Sequence, residues 1–74
     1  MMNELDMVVL TEDVPEHGLK AGDVGTIVLV HAGANAFEVE FATLAGDTVA
    51  VLTLSPTAIR AFREREIAHV REVA

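Results

Sequence analysis

The sequence predicts an all-β domain, a small barrel or sandwich of about five antiparallel strands followed by a short C-terminal extension. Three observations carry that expectation. Four apolar runs rich in β-branched residues recur at roughly ten-residue spacing, as in small barrels and sandwiches. Clusters of glycine, proline, asparagine and aspartate separate them. In the third run, Phe37, Val39 and Phe41 alternate with Glu38 and Glu40, the period-two pattern of a strand with one buried and one wet face.

The first run, Leu5 to Leu10 (LDMVVL), is short, apolar and β-branched, and predicts strand one. Thr11 to Gly22 (TEDVPEHGLKAG) contains one proline, two glycines and four charged residues, and reads as a long ordered loop. Strand two is predicted over Val24 to His31. Ala32 to Asn35 then forms a turn, with Gly33 and Asn35 the residues that best tolerate positive φ. Strand three spans Ala36 to Ala42, a turn falls at Leu44 to Asp47, and strand four spans Thr48 to Leu54.

The last third admits two readings. Ser55-Pro56 suits the cap and first position of a helix, and the following stretch is rich in Ala, Arg and Glu. Yet the stripe Ile59, Phe62, Val70 and Val73 is interrupted by Arg63 and Glu66. The preferred reading is a turn at Ser55-Pro56 and a closing strand at Ala58 to Phe62, because four strands alone would leave open edges. Residues 63–74 are then an extension, helix or extra strand, with Ile67 to Arg71 the candidate strand. The whole, residues 1–74, is one domain.

Composition narrows the function classes. There is no cysteine, which excludes disulfides and thiolate metal sites. Twelve acids against five bases give a net charge of −7, which opposes phosphate backbones and anionic lipid. No run of apolar residues is long enough to span a membrane, and Met1 to Asp6 lacks the basic and apolar regions of a secretory signal. The expectation is a cytoplasmic protein with no membrane or nucleic-acid partner.

The stretch LD-x-VVL-x-EDVPEHGLKAGDVGTIV, followed by a turn and FEVEF, resembles the bacterial domain-of-unknown-function family 4926. The resemblance runs from Leu5 through the Thr48 to Leu54 strand, about three quarters of the chain. It implies an SH3-like barrel, and it brings no activity or catalytic residues with it. More broadly, Lys20 to Val28 looks like the loop-into-strand element of ribosome- and transcription-associated barrels of the KOW type. Ordinary barrel geometry is the plainer account: Gly22 and Gly25 allow a sharp turn into strand two.

Chemistry finds little purchase. Ser55, the only serine, precedes a proline at a turn, and no nucleophile elbow is present. Glu38 and Glu40 lie on one strand face with Cβ atoms about 6.5–7 Å apart, a spacing compatible with acid–base work, but alternating glutamates usually serve solubility. His17, His31 and His69 show no metal-ligand spacing. Arg60, Arg63, Arg65 and Arg71 are interleaved with Glu64, Glu66 and Glu72, and there is no Trp or Tyr on which a base could stack. No catalytic, cofactor or metal residues are expected.

Strands one, two and four are apolar on both faces, whereas a small barrel can bury only one. The expected function is therefore a non-enzymatic, protein-binding or self-assembling module, a homo-oligomer with Val8, Leu10, Val28, Val30, Val49 and Val51 at its interface. The C-terminal segment is the other candidate cover for that face. The alternative is an acidic accessory factor, antitoxin- or immunity-like, whose Glu12, Asp13, Glu16, Glu38 and Glu40 meet a basic protein.

Overall fold

The computed structural model describes residues 2–73. Strands β1 (Met7–Leu10), β2 (Val24–Val30), β3 (Phe37–Ala42), β4 (Thr48–Leu54) and β5 (Ile59–Ala61) form one antiparallel sheet in the order β4-β3-β2-β1-β5. The fold is all-β and consistent with an SH3-like barrel. Two three-residue 3-10 turns, at Pro15–His17 and Ala32–Ala34, are the only helical elements among the described residues. The predicted closing strand exists, but it pairs with β1, Leu10 opposite Ile59, and not with β4. The sheet therefore keeps two edges, β4 and β5.

The core is the inner face of this sheet. Val8, Leu10, Leu19, Ile27, Phe37, Val39, Phe41 and Ile59 form one buried cluster, with Val14, Val30, Val49, Ala50, Leu52 and Leu54 packed half-buried around it. The alternation read in β3 holds: Phe37, Val39 and Phe41 point inward and are at most 2% exposed, while Glu38 and Glu40 point outward.

In β2 a bulge interrupts the pairing with β3 between Ile27 and Leu29. A bulge inserts one residue and changes the parity of the side chains beyond it. Gly25 and Ile27 accordingly point inward, Val28 and Leu29 are both exposed, and Val30 returns to the core side.

Leu5 lies outside strand one. It takes a left-handed conformation, φ 72°, within a turn in which Asp6 N–H donates to the Asn3 carbonyl (3.1 Å). Its N–H still reaches the Ile27 carbonyl at 2.7 Å. Left-handed backbone strains a residue that carries a Cβ, and the Leu5 side chain is 79% exposed and contributes little packing. Leu5→Gly is therefore expected to stabilise the domain by about 0.5–1 kcal/mol, strain relief exceeding the added chain entropy. A urea midpoint that falls would contradict this.

At the β2–β3 turn, positive φ falls on Gly33 (74°) and Ala34 (55°), not on Asn35. Asn35 has ordinary backbone and its side-chain amide donates to the Ala32 carbonyl at 3.4 Å, a local bond that closes the turn without a left-handed residue there.

The loop joining β1 and β2 is ordered by its own polar groups. Val14 and Leu19 exchange backbone hydrogen bonds of 2.9 and 3.1 Å, which folds Leu19 into the core. Asp13 accepts the Ala21 N–H (2.9 Å) and Asp23 accepts the Lys20 N–H (2.8 Å). Gly25 enters β2 for a different reason from the turn geometry expected of it. A methyl group there would lie 2.6 Å from Val39 Cγ1, 2.9 Å from Phe41 Cε1 and 3.0 Å from the Glu40 carbonyl oxygen.

Beyond β5, residues 62–73 carry neither the helix nor the extra strand their composition admits. A helix begun at Ser55-Pro56 would have to withdraw Ile59 from the core and would gain only a broken apolar stripe.

Candidate functional site

The six apolar residues expected at an interface divide sharply. Val8 and Leu10 are 1% exposed and belong to the core, so they offer no outer surface. Val30 and Val49 are half-buried against that core. Only Val28 (41% exposed) and Val51 (53%) face outward. Strand one gave no signal to choose its core face, since Met7 and Val9 are as apolar as Val8 and Leu10. The outer apolar surface instead includes Met7, Val24 and Leu29, which the pattern alone did not single out.

Strand pairing arranges this outer face in rows. Val51 opposes Glu40, Glu40 opposes Thr26, and Thr26 opposes Met7. Beside it, Thr53 opposes Glu38 and Glu38 opposes Leu29. The two glutamates are tied down within these rows. Glu40 accepts the Thr48 hydroxyl at 2.6 Å, and Glu38 accepts the Thr53 hydroxyl at 2.6 Å and meets His31 Nε2 at 2.6 Å. The His31 contact, then the Thr53 bond, hold the Glu38 carboxyl below its ordinary pKa. The face is thus apolar at its margins with two hydrogen-bonded carboxylates between.

The other acidic candidates behave differently. Asp13 spends an oxygen on its own loop, whereas Glu12 and Glu16 stand exposed on it. Among the described residues no group of three or more His, Asp or Glu side chains could hold a metal ion, and no helix is long and apolar enough to cross a membrane. His17 and His69 are exposed. The Ser55 hydroxyl contacts the Thr57 hydroxyl at 3.0 Å in the turn before β5.

The C-terminal segment covers part of the second face of β1. Val9 lies outside the core cluster yet is only 8% exposed. It lines a groove together with Met7, Val24, Phe62 and residues 66–73. Two ion pairs hold the segment there. Arg60 donates to both oxygens of Glu66, at 2.9 and 2.6 Å, and the Arg63 N–H donates to the same carboxylate at 2.5 Å. The Arg60 bonds, then the Arg63 N–H, lower the Glu66 pKa to about 2. Further on, Arg71 grips both oxygens of Asp23, Nε to Oδ1 at 2.9 Å, and its Nη2 also donates to the Gly18 carbonyl at 3.0 Å. The Arg71 bond is the main cause that holds the Asp23 carboxyl below its usual value. The clasp is polar, because Phe62, Ile67 and Val70 remain 60%, 93% and 71% exposed.

Acid is expected to open this clasp. Pairing lowers both carboxyl pKa values, so it favours the docked segment fully above the ordinary values of 3.8 for Asp23 and 4.5 for Glu66. That contribution fades as the pH falls below them, for Glu66 through about 2. Arg71→Ala should release residues 67–73 at neutral pH, speeding tryptic cleavage after Arg63 and Arg65. Surface pairs are weak, so the global urea midpoint should hardly move. Unchanged cleavage would contradict the clasp.

A small all-β domain with an acidic surface, a divided outer face and a strapped-down C-terminal segment is what the fold and these residues define. Residues 4–61 match the family model described as Domain of unknown function (DUF4926), and the chain belongs to that family. The match ends with β5, so the clasped segment lies beyond it. No curated protein and no solved structure matches the chain.

Proposed function

We propose that the domain is a non-enzymatic association module of the cytoplasm, binding a protein partner or its own copies through the outer face of β2, β3 and β4. The observation that supports this best is the exposure of Val28, Leu29 and Val51 on a face whose only carboxylates are already hydrogen-bonded. Covering the apolar side chains is favourable, and the hydrogen bonds already made by the two carboxylates lessen the cost of covering them. The C-terminal strap screens Val9 and leaves these three residues open.

Replacing Val28 and Val51 together by serine tests the reading. Association should weaken at least about tenfold, the loss of some 1.4 kcal/mol of apolar burial. The urea midpoint should hold, since exposed positions change stability by about 0.5 kcal/mol or less. Undiminished association by a folded variant would contradict it.

The exposure of Glu12 and Glu16 on the β1–β2 loop favours a second reading. An acidic accessory factor of the antitoxin or immunity kind would use them to speed its encounter with a basic protein. Salt-insensitive association, unaltered by Glu12→Gln with Glu16→Gln, would count against it.

A further inference from the structure

We infer that two copies of the chain pair through β4, edge to edge and antiparallel, to make one continuous sheet. The inference rests on the self-association reading above and names the element that carries it.

β4 is the longest free edge of the molecule. Its seven residues, Thr48–Leu54, pair with β3 on one side. Among the described residues no backbone hydrogen bond from another segment reaches the other side. Edge strands are ordinarily guarded by lysine, proline, inward charges or extreme shortness. TVAVLTL has none of these, and the one irregularity in its pairing with β3, a bulge at Val49, leaves Ala50 to Leu54 regular. The opposite edge is guarded in every respect. β5 has three residues, includes Arg60, and is tied by Arg60 to Glu66 of the strap. A head-to-tail β4–β5 chain of copies is therefore disfavoured, and a symmetric pairing of β4 with itself remains.

The register follows from the strand's length. A two-fold axis at the midpoint, Val51, overlaps the two strands most fully, setting Val51 opposite its own mate and Ala50 opposite Leu52. Such an axis keeps outer side chains on one surface, so the exposed Val51 pair would meet in contact. The Glu40 pair does not oppose it at physiological salt. Glu40 of each copy lies one strand in from the junction, which separates the pair by about three strand spacings, roughly 14 Å. That exceeds the Debye length of about 8 Å at physiological salt.

Because the chain has no cysteine, a single Val51→Cys substitution reports the junction directly. Opposed residues in an antiparallel pair have Cα atoms about 4.5–5.5 Å apart, within disulfide range. Val28→Cys is the control, similarly exposed but about five strand spacings, roughly 24 Å, from its mate. In a glutathione redox buffer, with native-chain mass measured in parallel, Val51→Cys should form covalent dimer at least about tenfold faster than Val28→Cys. Equal rates, or faster linkage at Val28, in a chain that does self-associate would overturn the edge pairing and leave the outer-face reading standing. A native chain that is monomeric at every concentration, with no preference between the two cysteines, would overturn both.

Discussion

Phe41→Ala is expected to bring the domain to the limit of folding, with a loss of about 3–5 kcal/mol. Phe41 is 2% exposed, among the largest of the fully buried side chains, and sits on β3 opposite Ala50 of β4. A small partner across the strand cannot expand to fill the space its ring would leave. Nor is there a compensating cross-link, since the chain has no cysteine. A domain of this length has only about 4–11 kcal/mol of total stability, so the loss removes a large share of it. Chemical denaturation of the variant should show a collapsed or absent folding baseline at 25 °C. A loss below about 1 kcal/mol would mean that the core is not centred on β3.

Gly25→Ala should have the next largest effect, about 1–3 kcal/mol of overpacking. The added methyl would meet Val39 and Phe41, both buried, and the Glu40 carbonyl, which is backbone and cannot turn aside. In a domain of this size that corresponds to a fall in Tm of roughly 4–8 °C per kcal/mol. The alternative role for this glycine, backbone freedom, predicts a smaller change, because Gly25 is not among the residues of positive φ. Gly22, with φ 96° and open space around its Cα, is the position where freedom is needed. A Gly25→Ala chain with native stability would show that β2 can draw back from β3.

Strands β3 and β4 were legible in the sequence because the alternation of Phe37, Val39 and Phe41 against glutamate leaves one answer for the core face, and clear turn residues bound both strands. Strand β1 was not. Met7, Val8, Val9 and Leu10 are all apolar, and three of them are buried, two in the core and Val9 on the other face beside the C-terminal segment. A pattern of period two cannot show which side wins when both are covered. The bulge in β2 is set by its pairing with β3, a nonlocal fact, and it moved Leu29 outward and Val30 inward. The clasp was hidden for a similar reason. Arg71 and Asp23 are 48 residues apart, and nothing in their local sequence announces a partner.

The strap also changes what the apolar excess of the chain means. The C-terminal segment and a neighbouring molecule were alternative covers for the second face. The strap lies beside Val9, which is buried, whereas Met7, Val24, Val28, Leu29 and Val51 all stay exposed.

Sedimentation velocity of the native chain, from micromolar to submillimolar concentration at physiological salt, tests the central claim most directly. An outer face built for association predicts a sedimentation coefficient that rises with concentration, and a stronger rise at higher salt as repulsion between copies of charge −7 is screened. A single monomeric species across the whole range, at both salt concentrations, would contradict it.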